Sequence, residues 1–230
     1  MTLFLPIRIH PAGYRFIGIF AFITLLFFLM SNTMGWIGII LTGWCAYFFR
    51  NPKRTTPLQE GLVVSPADGI VCGIKKMVPP AEFGMGKTSS YRISIFLNVF
   101  DVHVNRIPIG GKIIRSIYQP GQFLNAALEK ASDHNERQSL VIQSKDKTEL
   151  AVVQIAGLIA RRILCDVKEG DKVETGSVYG LIRFGSRMDI YLPEGVCPLI
   201  IEGQRMIGGE TVIADVKNSP LKQPREGINH

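Results

Sequence analysis

Val167-Lys168-Glu169-Gly170-Asp171-Lys172-Val173-Glu174-Thr175-Gly176-Ser177-Val178-Tyr179-Gly180 is the stretch that decides the fold. Gly170-Asp171 opens a turn, Lys172-Val173 is a short strand, Gly176 closes the next turn, and Val178–Ile182 runs on as a further strand. Turn residues recur here too closely for a helix to fit between them, so the segment reads as β. Working outward, the same punctuation predicts strands at Leu62–Ser65, Ile70–Ile74, Tyr91–Leu97, Lys112–Tyr118, Ser139–Gln143, Leu150–Ala156, Met188–Leu192 and Thr211–Val216. Helical signals are few: Phe123–Ala131 is one candidate, and Ile159–Leu164 could be a short helix or a strand. The fold class expected is α+β, mainly β. There is no internal repeat and no low-complexity tract.

The 167–180 segment resembles the turn-strand-turn of biotinyl and lipoyl carrier domains. Ser65-Pro66-Ala67-Asp68-Gly69-Ile70-Val71 has a matching look at the other end of the domain. Two such hairpins imply a barrel-sandwich-like catalytic domain. No modifiable lysine sits at a Met-Lys-Met or Asp-Lys-Ala tip, so a carrier role is not expected.

The N-terminus has a different composition. Residues 14–49 contain one charge, Arg15. Phe16–Met30 is one apolar run, Ser31-Asn32-Thr33-Met34-Gly35 interrupts it, and Trp36–Phe49 is a second. Each is short of the roughly 20 apolar residues of a full span. Arg8 and Arg15 precede the first run, and Arg50, Lys53 and Arg54 follow the second, so both outer ends are expected on the cytoplasmic side. The segment 1–49 therefore reads as a hydrophobic helical hairpin associated with the cell membrane. Trp36, Trp44 and Tyr47 would lie near headgroup level. A second apolar run and the lack of a small-residue cleavage site argue against a signal peptide. After the linker Asn51-Pro52-Lys53-Arg54-Thr55-Thr56-Pro57, the domain 50–230 carries 24 Lys and Arg against all 19 acidic residues, a net +5. That excess suits work beside an anionic membrane. No Lys/Arg-dense stretch interleaves with aromatics, so no nucleic-acid partner is expected. Cys45, Cys72, Cys165 and Cys197 are widely spaced without a C-x-x-C pair, so buried reduced thiols are expected and no metal site.

Chemistry concentrates in three places. The first is Leu181-Ile182-Arg183-Phe184-Gly185-Ser186-Arg187-Met188-Asp189. Alone, Gly185-Ser186 reads as a turn between strands. A serine after a glycine has a second option, because its hydroxyl can attack the glycine carbonyl and convert that amide to an ester. Glycine tolerates the backbone this requires. Elimination from the ester would then leave a ketone-bearing group at position 186. The second place is Phe96-Leu97-Asn98-Val99-Phe100-Asp101-Val102-His103-Val104-Asn105-Arg106-Ile107-Pro108, where a strand would put Asp101, His103 and Asn105 on one face. Of the four histidines, His10 precedes the membrane segment, His230 is terminal and His134 lies in a charged run, which leaves His103 as the candidate general base. The third is Asp68, in a turn where an aspartate usually caps backbone amides. Its functional reading is to orient His103, as in a serine-histidine-aspartate triad.

Together these segments resemble the phosphatidylserine decarboxylase family in its short prokaryotic form. The likeness runs through Phe48-Phe49-Arg50-Asn51-Pro52, Ser65–Gly69, Phe100–Arg106, Asn135-Glu136-Arg137, Gln154-Ile155-Ala156-Gly157 with Ala160-Arg161-Arg162, and Phe184-Gly185-Ser186-Arg187. The resemblance implies an enzyme that makes its own pyruvoyl cofactor. Ser186 would attack the Gly185 carbonyl with His103 taking its proton and Asp68 orienting the histidine, and cleavage between 185 and 186 would give a large β chain, 1–185, and a small α chain, 186–230, headed by the pyruvoyl group. That ketone would form a Schiff base with the amine of phosphatidylserine and act as electron sink as CO2 leaves, giving phosphatidylethanolamine. His103 could serve again as proton donor. The longer family members carry His-x-x-His where this chain has Arg106, and Leu-Gly-Ser-Thr where it has Phe-Gly-Ser-Arg. Two further readings are weighed: a membrane-tethered barrel-sandwich adaptor without activity, and a membrane-tethered serine hydrolase using Asp68, His103 and Ser186 on an external substrate. A decarboxylase for a differently linked serine phospholipid is a close variant, and a homo-oligomer is left open.

Overall fold

In the computed structural model, residues 8–121, 135–157, 162–183, 185–218 and 223–225 are described. The helix expected over 123–131, His134, Phe184 and His230 lie outside them, as do residues 159–161; the described end of the 159–164 segment, Ile163–Leu164, is strand.

The chain opens with β1 (Arg8–Ile9) and a 3-10 turn at Pro11–Gly13, then α1 (Tyr14–Met30) and α2 (Asn32–Phe48). The break between the helices is narrower than the polar run 31–35 suggested. Ser31 alone is extended, its hydroxyl accepts from the Thr33 amide, and Asn32–Gly35 form the first turn of α2. A serine N-cap satisfies an amide that the helix leaves without a partner, which lets the turn tighten to a single residue. Pro11–Met30 is long and apolar enough to cross a membrane by length and composition. The two helices approach closely through small residues. A Cβ on Gly38 would lie 2.7 Å from Thr24 Oγ1 and 3.0 Å from its Cα. The Thr24 and Thr42 hydroxyls meet at 3.0 Å. Gly38→Leu is therefore expected to splay the hairpin at a cost of about 1–3 kcal/mol, read as a lower thermal midpoint of the full chain in detergent.

The β strands follow in order: β2 (Arg50–Asn51), β3 (Leu62–Val64), β4 (Gly69–Met77), β5 (Ser90–Leu97), β6 (Val104–Arg106), β7 (Gly111–Gln119), β8 (Arg137–Gln143), β9 (Glu149–Ala156), β10 (Ile163–Cys165), β11 (Lys172–Val173), β12 (Val178–Ile182), β13 (Ser186–Tyr191), β14 (Arg205–Met206) and β15 (Val212–Asp215). The molecule is mainly β with an N-terminal apolar helix pair, as the sequence predicts. The principal sheet has the order β11-β7-β8-β9-β13-β5-β4-β14, beside a three-stranded sheet β10-β12-β6 and the pairs β1-β2 and β15-β3. Strand alternation sorts the side chains of β13. Ser186, Met188 and Ile190 share the face that carries Leu97, Ile95 and Ile93 of β5 and Ala156, Gln154 and Val152 of β9. Apart from Ser186 and Gln154, these belong to the main hydrophobic core.

Arg187 and Asp189 point to the opposite face. They are buried and joined by two hydrogen bonds of 2.7 Å, from Nε to Oδ1 and from Nη2 to Oδ2. The arginine that distinguishes Phe-Gly-Ser-Arg thus fastens the start of β13 from behind. The cysteines are not all buried as expected. Cys45 and Cys197 are, Cys165 is half-buried, and Cys72 is exposed. Cys72 alternates with buried Val71 on β4, next to an irregularity in the pairing with β5, so the strand's own period turns it outward.

Candidate active site

Ser186 is the first residue of β13, flanked by Leu97 of β5 and Ala156 of β9, and it is fully buried. Its Oγ has no hydrogen-bond partner among the described residues. A buried hydroxyl normally finds a partner, because leaving it without one costs about 1–3 kcal/mol. Ser90, Ser139 and Tyr179 share that condition among the described residues, and of the four Ser186 is the one that follows a glycine of positive φ. Gly185 before it has φ +65°. No atom of the described residues outside its chain neighbours lies within 4 Å of where its Cβ would be. Its left-handed backbone, not crowding, is what selects glycine there.

His103 is completely buried and its two nitrogens have different partners. Nδ1 lies 3.0 Å from the Asp101 carbonyl oxygen. A carbonyl can only accept, so Nδ1 carries the hydrogen and Nε2 keeps its lone pair. The Gly185 N–H donates to that Nε2 at 3.3 Å. The imidazole therefore sits one peptide bond before the Gly185–Ser186 bond. Burial lowers its pKa to about 4, opposed by the Asp101 hydrogen bond and charge and assisted by Arg50. At neutral pH it is an uncharged base in a dry setting.

The segment around His103 is not the strand that the sequence suggested. The Asn98 side chain accepts from the Phe100 amide at 2.8 Å, and Asp101 Oδ2 accepts from the Asn98 amide at 2.9 Å, which closes a turn, and β6 starts only at Val104. Asp and Asn form such turns readily because their side chains reach the nearby backbone. Asp101, His103 and Asn105 consequently do not share a strand face. The Asp101 carboxylate also takes a hydrogen bond from Arg205.

Asp68 lies apart from the imidazole's hydrogen bonds. Its Oδ2 accepts from Arg54 Nη2 at 2.6 Å and its Oδ1 from the Gly208 amide at 2.8 Å. Burial pushes its pKa up, against the pull of Arg54 and those two hydrogen bonds. The structure thus brings His103 to the Gly185 amide, while the place on Nδ1 expected for Asp68 is filled by the Asp101 main chain two residues back. Arg106, where the longer family members have their second histidine, has a structural engagement. Its Nη1 donates to the Gly176 carbonyl at 2.9 Å, and its Nη2 to Asn51 Oδ1 at 2.7 Å and to the Pro52 carbonyl at 2.9 Å.

Two polar residues beside the site received no role from the sequence. Gln154 Nε2 donates to Asn105 Oδ1 at 2.8 Å and to the Leu164 carbonyl at 3.3 Å. Gln154 Oε1 and Asn105 Nδ2 are then buried without partners among the described residues. Gln154 lies on the Ser186 face, one position along β9 from Ala156 on that face. The Asn135 side chain donates to the Ala156 carbonyl at 2.7 Å, bracing the residue opposite Ser186. The Gln154-Ile155-Ala156 and Asn135-Glu136-Arg137 motifs were the available signals, and only their shared position beside β13 gives them a role.

A hydroxyl without a partner, a left-handed glycine before it and a neutral imidazole on that glycine's amide form an arrangement suited to acyl transfer within the chain itself. A protein-family model described as phosphatidylserine decarboxylase matches residues 41–214. A phosphatidylserine decarboxylase proenzyme of Cereibacter sphaeroides is 58% identical over 214 residues, 93% of this chain and 92% of the relative. Proteins of the same name from Ruegeria pomeroyi and Rickettsia felis are 59% identical over 208 residues and 54% over 207, covering 90% of this chain and 95% and 90% of the relatives. The chain belongs to the phosphatidylserine decarboxylase family.

Proposed function

We propose that the chain is a pyruvoyl-dependent decarboxylase that converts phosphatidylserine to phosphatidylethanolamine after cutting itself between Gly185 and Ser186. The relatives named as proenzymes support both the activity and the processing. The observation that carries the reading is the partnerless Ser186 hydroxyl behind a left-handed Gly185, with His103 Nε2 on the Gly185 amide. The donor set fits a group made from the chain itself, because Ser186 is already buried where the ketone would form.

His103 is assigned to take the Ser186 proton as Oγ attacks the Gly185 carbonyl. The ester then eliminates to leave a carboxylate on Gly185, and water releases ammonia from position 186 to give the pyruvoyl group. The two products would be a β chain of residues 1–185 and an α chain of residues 186–230. Asp101 holds the tautomer of His103 through its carbonyl. Asp68 is assigned an indirect role, tying Arg54 of the linker to the Gly208 amide. In the mature enzyme the pyruvoyl carbonyl supplies an electron sink for the substrate's amine-bearing carbon. Asn105 Nδ2 is a buried donor and Gln154 Oε1 a buried acceptor, both without partners among the described residues, and Gln154 lies on the Ser186 face of β9.

Residues 1–49 are assigned to the membrane and 50–230 to catalysis at the cytoplasmic face. The support is the apolar Pro11–Met30 helix, the exposed Ile19, Phe22, Leu25, Leu29 and Ile40 on the hairpin, and the basic residues at its two outer ends.

The test is the intact mass of the C-terminal fragment together with turnover of phosphatidylserine vesicles in the absence of pyridoxal phosphate. The fragment should begin at position 186, lighter by one ammonia than a serine-headed peptide, and phosphatidylethanolamine should accumulate. An uncleaved chain that reacts with serine-directed phosphonates would favour the hydrolase reading. An uncleaved and unreactive chain would favour the adaptor.

A further inference from the structure

The helical hairpin meets the candidate site at three points. Phe48, the last residue of α2, is fully buried, and its ring centroid lies 4.4 Å from that of His103 at an interplanar angle of 36°. Two residues later, Arg50 Nη2 donates to the Phe100 carbonyl at 2.6 Å. That carbonyl belongs to the turn whose Asp101 holds His103 Nδ1. On α1, the Phe16 ring lies 5.0 Å from the guanidinium carbon of Arg183, two residues before Gly185. Phe16 stacks on Phe49 at 5.4 Å and 12°, and Phe49 stands edge-on to Phe48 at 5.1 Å and 82°. One aromatic row, Phe16-Phe49-Phe48, therefore runs from the approach to the scissile bond to the imidazole. An anchor alone would need only a tether, yet here the foot of the hairpin is packed into the domain with Val102, Val104 and Leu181.

We propose that the foot of the hairpin is one wall of the self-cleavage site, and that Phe48 is the residue that positions His103 against the Gly185 amide. The proposal rests on the reading that His103 assists cleavage at Gly185–Ser186. Its physical basis is geometric. Hydrogen bonds at Nδ1 and Nε2 lie in the imidazole plane and fix where its edges point. They leave the ring some freedom to tilt about its Cβ–Cγ bond, opposed only by the directionality of two hydrogen bonds of 3.0 and 3.3 Å. A side chain packed on the ring's face removes that freedom, and it excludes water from the base. Phe48 occupies that position. A hydrophobic segment that serves as membrane anchor thereby also completes a reaction site in the β domain.

The test follows cleavage of the full chain during cell-free synthesis with phosphatidylcholine vesicles. It is paired with NMR titration of His103 in the uncleaved Ser186→Ala chain. Phe48→Ala is expected to slow cleavage by about tenfold or more, since small misplacements of a reacting group carry penalties of that size. It should also raise the His103 titration toward 6.5, because water reaches the ring. Phe48→Leu, which keeps the ring covered but packs it less closely, should fall between the two in rate and leave the titration in place. Wild-type cleavage in Phe48→Ala would overturn the proposal. So would slow cleavage with an unmoved titration, because Phe48 would then only support the fold. If Phe48→Ala does not fold, a wild-type rate in Phe48→Leu overturns it. His103→Gln serves in the same series. Cleavage at the wild-type rate there would defeat the reading beneath the proposal, whatever Phe48 does.

Discussion

Ser186→Ala is expected to leave a single full-length band on denaturing electrophoresis, where the wild-type chain is expected to give two. The effect should be complete, because no other group on the described chain combines a partnerless buried hydroxyl with a left-handed glycine before it. The substitution is also structurally mild. It removes one oxygen from the core face of β13, leaves the pairing with Leu97 and Ala156 intact, and deletes a polar atom that has no described hydrogen bond. Removing an unsatisfied buried group is neutral or stabilising, so the thermal midpoint should not fall. Loss of cleavage with retained stability separates chemistry from folding. Two bands from a stable Ser186→Ala chain would sink the pyruvoyl assignment.

His103→Gln should slow cleavage by about 10²–10⁴-fold, the usual worth of a positioned general base. The same histidine should leave a mark on stability. Its pKa falls from 6.5 to about 4 because burial disfavours the charged ring. Between those values the unfolded chain binds a proton that the folded chain does not, so stability declines as pH drops from 6.5 through 4. Across the whole window the loss from this one group is about 3 kcal/mol. Thermal unfolding of uncleaved Ser186→Ala at pH 7, 5.5 and 4 should show that decline, and adding His103→Gln should flatten it. Equal slopes in the two chains would mean that the imidazole is not a buried neutral group.

Strands that fill the core were legible as sequence. Val178–Ile182 and the runs near 139–143 and 150–156 are apolar on both faces, and their bounds are set by Gly, Asp and Lys turns. Lys172-Val173 was legible because two glycine turns isolate it. The two-residue strands Arg8–Ile9, Arg50–Asn51 and Arg205–Met206 have no period of their own, since each exists only because a distant partner lies alongside. Around the site, Gly185-Ser186 and His103 could be picked out by residue type. The part played by the Asp101 main chain could not, because a carbonyl is common to every residue and only its direction makes it a partner. Asp68 was the candidate orienting carboxylate from its place in the Pro66-Ala67-Asp68-Gly69 turn. The fold commits its two oxygens to Arg54 and Gly208 instead. Phe48 was visible near the end of an apolar run and at the head of the Phe48-Phe49-Arg50-Asn51-Pro52 segment, but its contact with His103 depends on how the hairpin lands on the domain.

The placement of β13 has a consequence for the life of the molecule. It lies between β9 and β5, in the interior of the eight-stranded sheet. A cut immediately before Ser186 would create a chain end in the middle of that sheet, with neighbours bonded on both sides. The short fragment would be woven in and unable to drift away. The connectivity that brought the strand to its place would nevertheless be gone, because the peptide joining it to β12 would no longer exist. Folding would be a task that only the uncut precursor can perform unaided. The working enzyme would be a durable remnant of that event, with no intramolecular route back to its structure once melted.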